Sequence, residues 1–165
     1  MAEEDFYAPA KSGLERLFTN VGKNAYLEIA ARKGFSEKLK QAIREGRDIV
    51  FAHLRRRPAI LGFIQEEYTR SFITVEVKEK SPTLEDIYQA KLYKEVFDVK
   101  CAFLITGSTI PEELKRLCRT TYPILHSVGD DTYRFLVVAQ FDKASNEFTE
   151  WFDQNPFEKP YYWNR

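Results

Sequence analysis

The stretch FITVEVKEK, residues 72–80, constrains the fold of this chain more than any other. Between Ile73 and Val77 every second residue is β-branched and apolar, while the residues in the alternate positions end on Glu76 and Lys78. Successive side chains of a strand point to opposite faces. The stretch therefore predicts a strand with one wholly apolar face and a second face that becomes charged where the strand ends.

Strands and a helix are predicted on both sides of this stretch. DIVFAHL (48–54) and RPAILGFIQ (57–65) precede it, and Ser81-Pro82 opens a helix, since proline favours the first helical position. VKCAFLIT (99–106) is a continuous apolar run, typical of a strand covered on both faces. Short turns favour an antiparallel meander of three strands, and the helix then crosses over to the fourth. The predicted fold class is α/β with a mixed central sheet.

The remaining segments are predicted from their periodicity and caps. Residues 12–35 are expected to form one or two amphipathic helices, and 36–46 another. The helix over 83–97 is expected to bury a stripe of Leu84, Tyr88, Leu92 and Val96, with Ile87 beside them. Beyond it we expect a helix at 110–120, strands at 122–128 and 133–141, a last helix near 145–153, and an aromatic tail that packs on the body.

The composition is that of a folded single domain and does not indicate a binding partner. It has 165 residues, and 25 Lys plus Arg balance 25 Asp plus Glu, so bulk charge indicates neither nucleic acid nor an acidic ligand. Cys101 and Cys118 are expected to be buried free thiols. The acidic start lacks the order of a secretory signal, and no apolar run approaches the ~20 residues of a membrane helix. A soluble, cytoplasmic protein is expected.

Three motifs lie close together around the charged strand end. RPAILGF begins the second predicted strand, EVK ends the third, and QAKLY on the next helix places Gln89 and Tyr93 one turn apart. With these motifs the sequence is similar to the PD-(D/E)XK nuclease superfamily, which has the restriction-endonuclease-like fold, and to its RecB-type and lambda-exonuclease-like branch. The resemblance covers about residues 11–106 and implies an αβββαβ core within one domain, 1–165, whose accessory elements follow from about 107.

The resemblance implies a role for each matching residue. Glu76 would be a metal ligand beside the carbonyl of Val77, and Lys78 would orient the attacking water and stabilise charge on the phosphate. Gln89 and Tyr93 would support this catalytic site or contact the nucleic-acid backbone. The implied cofactor is Mg²⁺ or Mn²⁺, hard cations that prefer oxygen ligands, and the implied substrate is DNA.

One position departs from the family pattern. The proline-aspartate of the family corresponds here to Pro58-Ala59, and alanine binds no metal. Three explanations stay open: a natural loss of activity, an introduced alanine substitution, or a carboxylate supplied from elsewhere. The candidates for that carboxylate are Glu66, Glu67, Asp48 and Glu28. Of these we favour Glu28, which is expected on an N-terminal helix.

Positive charge clusters at Arg55, Arg56 and Arg57, which predicts contacts with nucleic-acid phosphates. Such contacts determine the affinity for nucleic acid and its dependence on salt. The lysines expected to extend this nucleic-acid surface are Lys78, Lys80, Lys91 and Lys94. The leading predicted function is therefore metal-dependent hydrolysis of DNA. Ala59 either abolishes this activity or leaves it intact. A homodimer is also expected. The alternative is a catalytically degenerate nuclease fold that acts as a nucleic-acid-binding or assembly module. A third interpretation, an unrelated small-molecule or protein-interaction domain, requires Glu76 to be exposed and unaccompanied.

Overall fold

The computed structural model describes residues 3–31, 35–43, 56–126, 135–158 and 163. It contains one six-stranded sheet whose strands lie side by side in chain order. The strands are β1 (Ala25–Ile29), β2 (Ile60–Gln65), β3 (Arg70–Lys78), β4 (Cys101–Thr106), β5 (Phe135–Asp142) and β6 (Glu147–Phe152). β3, β4 and β5 are parallel and the other neighbours are antiparallel, so the predicted α/β class with a mixed sheet is confirmed.

Four α-helices accompany the sheet in the described residues: α1 (Tyr7–Asn20), α2 (Glu37–Ala42), α3 (Leu84–Val96) and α4 (Glu112–Thr120). Short 3₁₀ helices span Glu3–Phe6 and Tyr122–Ile124. The Ser36 side chain caps α2 as predicted, and a capping box formed by Thr83 and Asp86 begins α3. α3 crosses from β3 to its parallel neighbour β4, and such a connection normally requires a helix.

The first strand of the meander is not where the sequence indicated. Residues 48–54 lie outside the described residues, and the strand that pairs with β2 is Ala25–Ile29, which was predicted to be helical. Five residues are too few for periodicity to separate a strand from a helix, and pairing with β2 decides the outcome. The order of described elements from α1 to β4 is αβαββαβ, which differs from the expected αβββαβ by the short helix α2 between β1 and β2.

Three further predictions of secondary structure and burial are wrong. The helix expected near 145–153 is instead β6, because Asp142 accepts hydrogen bonds from the amides of Ala144 and Ser145 and Asn146 adopts φ +62°, which closes a hairpin. Over 122–126 a 3₁₀ turn replaces the expected strand. α3 buries Ile87, Ala90 and Tyr93, whereas Tyr88 and Leu92 are exposed.

Apolar residues cover both faces of the sheet in two separate clusters. The α1 layer contains residues of α1, the apolar face of β3 and the tail, including Leu14, Phe18, Ile73, Val75, Val77, Phe103 and Trp163. The α3 layer contains Leu61, Ile87, Ala90, Tyr93, Ala102 and Leu104. Trp163 is fully buried, which confirms that the tail packs on the body, and both cysteines are buried and free as predicted. Within the described ranges no helix is long and apolar enough to cross a membrane.

Candidate functional site

The site lies at the end of β3, where the strand alternation brings Glu76 and Lys78 to one face. The Lys78 Nζ atom is 3.6 Å from Glu76 Oε1. Glu76 is only 8% exposed although it is an acidic residue, and Lys78 lies nearer the surface. The prediction that these two side chains converge is confirmed. Glu76 is also accompanied and buried, which removes the condition for the third interpretation.

Two carboxylates that were not predicted for the site complete the surroundings of Lys78. Its ammonium is 3.7 Å from Asp86 Oδ1 on α3 and 3.9 Å from Glu3 Oε1 on the N-terminal 3₁₀ helix. Asp86 has a sequence signal, because Thr83-x-x-Asp86 is a capping box that fixes this carboxylate at the first turn of α3. Glu3 has none, since it belongs to an acidic start with no periodicity. Three carboxylates therefore hold one ammonium.

The N-terminal residues form one wall of the site. The Tyr7 hydroxyl donates to Glu3 Oε1 over 3.4 Å, and burial, with Glu3 and Glu76 nearby, raises the pKa of Tyr7 to about 12. Phe6 packs against Gly107 at the end of β4, where an added Cβ would lie 2.5 Å from the Phe6 ring. Only glycine leaves room for this contact. The wall is thus built by residues far from β3 in sequence.

Burial dominates the electrostatics of Glu76. It raises the pKa of the Glu76 carboxyl to about 7, with Lys78 lowering it and Glu3 and Asp86 raising it further. The Oε2 atom is buried and has no hydrogen-bond partner among the described residues. At neutral pH this carboxyl group can therefore gain or lose a proton readily, and it has a free oxygen with which to bind a ligand.

α3 brings Gln89 and Tyr93 to the same site. Tyr93 is fully buried, and its pKa is raised above the ordinary range by burial and by the negative charge of Glu76, while Gln89 and Arg56 act in the opposite direction. Tyr93 is therefore close enough to Glu76, Gln89 and Arg56 for each of them to affect its hydroxyl. The structure thus brings together the four residues predicted to be catalytic, whose roles stay predictions.

Ala59 and Glu28 occupy positions that matter for any metal. Ala59 directly precedes Ile60, the partner of Val75, so its backbone lies beside Glu76, but its methyl group belongs to the α1 layer. Glu28 lies on β1 and not on a helix. Its carboxylate accepts hydrogen bonds from Tyr26 and from the amide and hydroxyl of Ser36, so it joins β1 to the beginning of α2.

The other predicted residues are spread over the surface. Arg56 is exposed near Tyr93, and Arg57 lies over the Phe35 ring at 5.3 Å. Lys80 is exposed at the end of β3, whereas Lys91 donates to the carbonyls of Pro123 and His126. Lys94 was predicted to extend the surface, but only 4% of it is exposed because the helix turns it inward. Glu66 and Glu67 lie in the β2–β3 turn, and Arg55 and Asp48 fall outside the described residues.

The donors around Glu76 fit Mg²⁺ or Mn²⁺ to a limited extent. Mg²⁺ needs one or two carboxylates and completes its shell with waters and substrate phosphate. Glu76 Oε2, buried and unpartnered, is such a donor, and the resemblance adds the carbonyl of Val77 next to it. In the part of the chain that the structure describes, no three His, Cys, Asp or Glu side chains form a metal-binding group. Any metal would therefore rely on Glu76.

Comparison of the chain with protein-family models, with curated proteins and with solved structures gives no match. The resemblance to nucleases consequently depends on the motifs around Glu76 and on the geometry described above.

Proposed function

We propose that the chain is a nuclease-type protein that hydrolyses DNA phosphodiester bonds with Mg²⁺ or Mn²⁺. The observation that supports this proposal is the pairing of Glu76, which has a buried and unpartnered oxygen, with the Lys78 ammonium 3.6 Å from its other oxygen. A free carboxylate oxygen is what a hard cation binds, and a fixed ammonium is what a phosphate anion binds. Both lie at the end of one strand, and in this proposal a single phosphodiester group meets both of them.

Each residue of the site has a separate task in this proposal. Glu76 and the Val77 carbonyl would hold the metal, which when bound polarises the phosphate and lowers the pKa of water. Lys78 orients the nucleophilic water and stabilises the charge that develops on the phosphate. Glu3 and Asp86 hold the Lys78 side chain in place. Arg56, exposed near Tyr93, contacts a neighbouring phosphate of the bound strand.

The second candidate function is binding without hydrolysis, as a degenerate nuclease fold. The observation in its favour is Ala59: its backbone lies beside Glu76, but its methyl group packs in the α1 layer and offers no oxygen. A site with one carboxylate donor in place of two would bind a divalent cation weakly. The basic residues would still hold nucleic acid or an assembly partner.

Cleavage of supercoiled and single-stranded DNA in Mg²⁺ or Mn²⁺ tests both candidates. We would compare the unchanged protein with Glu76→Ala, Ala59→Asp and Ala59→Asn, the last being an uncharged match for the aspartate. Cleavage that Glu76→Ala abolishes supports the enzyme. Cleavage that requires Ala59→Asp and is absent in Ala59→Asn supports a site disarmed at one position. No cleavage by any of them, with salt-sensitive DNA binding, supports the binding module.

The cytoplasm stays the proposed location. We also propose a homodimer, which would allow two sites to cut both strands. Light scattering during size-exclusion chromatography, with and without a DNA duplex, measures the mass of the assembly. A monomer in both conditions would contradict the dimer and leave single-strand cleavage as the proposed reaction.

A further inference from the structure

A groove of about 560 Å³ lies between α1 and the hairpin that joins β5 to β6. α1 covers the apolar face of β3, so the groove is on the α1 side of the sheet, whereas the Glu76 side chain belongs to the α3 side. Sites for small ligands typically have volumes of about 300–1,000 Å³ and a few polar groups that orient the ligand. The groove has such a volume, and its lining combines aromatic with polar side chains.

Two stacked aromatic rings border the groove. The ring centroids of Phe148 and Trp151 are 4.8 Å apart with an angle of 29° between the planes, and both side chains are half-buried. Gly13 allows the Phe148 ring to approach α1, because a Cβ at this position would lie 3.1 Å from that ring. Phe157 contacts the Trp151 ring at 5.5 Å between centroids. Packing from two directions thus holds a pair of flat rings beside the groove.

Polar side chains of α1 and the hairpin complete the lining. Arg16 Nη2 donates to the Asn146 carbonyl over 2.6 Å, which joins α1 to the hairpin and uses one of the five guanidinium donors. The side chains of Asn20 and Glu147 and the indole N–H of Trp151 form no hydrogen bond or ion pair with the described residues. The groove therefore offers both donors and acceptors that folding has not used.

The charges around the groove balance. Glu15 also lines it, but its carboxylate pairs with the Lys11 ammonium at 2.8 Å. Arg16 and Glu147 then contribute one positive and one negative charge. A strongly charged ligand of either sign would meet one group that repels it. An uncharged planar ligand with both donors and acceptors would meet no such group.

We propose that this groove binds a nucleobase, which stacks on Phe148 and Trp151 and forms hydrogen bonds through its edge with polar side chains of the lining. Bases stack on aromatic side chains whatever their identity, and their edges present donors and acceptors together. The Asn20 amide both donates and accepts, Glu147 accepts and Arg16 donates. A free nucleoside and an unpaired base of a DNA strand share this chemistry. The proposal does not depend on hydrolysis at Glu76.

Tryptophan fluorescence tests the groove, because the chain has two tryptophans and Trp163 is fully buried. Deoxyadenosine should quench Trp151 in a saturable way, and Trp151→Phe should abolish the quenching. Deoxyribose lacks the base, and benzyl alcohol has a ring without the edge groups, so both should bind at least about tenfold more weakly. The absence of saturable quenching, quenching that Trp151→Phe leaves unchanged, or equal affinity for benzyl alcohol would overturn the proposal.

Two pairs of variants at exposed positions test the lining without disturbing the core. Glu147→Ala and Arg16→Gln should each weaken deoxyadenosine binding about fivefold, the effect of one lost hydrogen bond. Their controls are Glu67→Ala in the β2–β3 turn and Arg70→Gln, which likewise removes an exposed arginine that donates to a neighbour. The controls should leave the affinity unchanged. Unchanged affinity in Glu147→Ala and in Arg16→Gln would refute the assignment of the groove.

A short single-stranded oligodeoxyadenylate distinguishes the two sources of the base. If the groove accepts an unpaired base of a strand, the oligonucleotide displaces deoxyadenosine. If it accepts free nucleosides alone, deoxyadenosine stays bound, and either result supports a nucleobase site. Binding of neither would overturn it. All titrations contain a chelator and no divalent cation, so a failure of the proposed metal-dependent hydrolysis would not affect them.

Discussion

The two layers that cover β3 differ in chemistry although they share a strand. The α1 layer is aromatic and apolar: Phe18 meets Phe103 edge-on at 6.4 Å and Trp163 at 4.8 Å. The α3 layer takes Thr74 and Glu76 from the opposite face of β3. Aromatic contacts need no hydrogen-bond partners, whereas each polar group in the second layer must find one or lose stability.

This difference indicates how the chain combines stability with a reactive site. The α1 layer supplies burial that does not change with pH near neutrality, because burial raises the pKa of its titratable members, Tyr7 and Cys101, well above that range. The α3 layer contains a carboxyl group whose pKa is raised to about 7 by burial, so part of its stability depends on protonation. One strand can therefore keep a partly destabilising site because its other face packs well.

The largest effect is expected from a cavity in the α1 layer. Phe103 is fully buried and contacts Phe18, Trp151 and Phe157 through its ring. Phe103→Ala should lower the free energy of unfolding by about 3–5 kcal/mol, measured by urea denaturation at neutral pH. Tyr68→Ala, at a residue that is 88% exposed, is the control and should change it by less than about 0.5 kcal/mol. A loss below about 1 kcal/mol for Phe103→Ala would contradict the role given to this layer.

The second effect is a pH dependence that belongs to the α3 layer. The folded pKa of Glu76, about 7, lies above its ordinary value of 4.5. Below both values the proton is bound in both states. As the pH rises from 4.5 to about 7, the Glu76 carboxyl group loses its proton first in the unfolded chain. The free energy of unfolding therefore falls until about pH 7. The total fall is about 3 kcal/mol.

Urea denaturation at about pH 5 and about pH 8 measures this fall. Glu76→Gln should remove most of the difference in unfolding free energy between the two pH values, because glutamine does not titrate. Glu67→Gln, in the exposed β2–β3 turn, should leave it unchanged. Equal pH profiles for the unchanged protein and Glu76→Gln would show that Glu76 has an ordinary pKa in the folded state.

The third effect separates the two roles of Asp86. Its Oδ2 atom accepts from the Thr83 amide over 2.9 Å, while Oδ1 lies 3.7 Å from Lys78. Thr83→Ala removes the N-terminal cap of α3 and should cost about 1 kcal/mol in urea denaturation. Asp86→Asn keeps an acceptor for the cap and loses only the ion pair, so it should cost less than about 0.5 kcal/mol. A larger loss for Asp86→Asn than for Thr83→Ala would mean that the carboxylates around Lys78 contribute substantially to stability.

Much of the fold could be predicted because its patterns are local. The alternation in β3, the apolar run of β4 and the Ser81-Pro82 helix start each lie within one short stretch. β1 and β6 could not be predicted, since each is short and is decided by a partner distant in sequence or by the turn before it. Helix periodicity was right in part for α3: Ile87 is buried and Leu84 and Val96 pack partly buried against the α3 layer, but Tyr88 and Leu92 are exposed.

The site was predicted only where strand and helix periods determine it. The shared face of Glu76 and Lys78 follows from the alternation of β3, and that of Gln89 and Tyr93 follows from the i, i+4 spacing of α3. That the two pairs belong to one site was implied by the family resemblance alone. Glu3 reaches Lys78 through the packing of the N-terminal helix, which no local pattern encodes. Thr74 shares the Glu76 face of β3 by the same alternation, but the surroundings of its hydroxyl, which has no hydrogen-bond partner among the described residues, depend on distant parts of the chain.

The smallest effect concerns exposed arginines beside the α3 layer. It distinguishes a contact between one arginine and one DNA phosphate from a general attraction of DNA to positive charge. Arg56 is exposed near Tyr93, whereas Arg70 begins β3 at the opposite end of the strand and donates to Gln65 over 2.8 Å. If DNA binds at the Glu76 end of β3, Arg56→Gln should lower the slope of log affinity against log salt by about 1, and Arg70→Gln should leave it unchanged. Fluorescence anisotropy with a labelled oligonucleotide between about 50 and 200 mM salt measures both slopes. Both variants remove one positive charge, so equal losses would mean that net charge alone attracts DNA and that the Glu76 site does not position it.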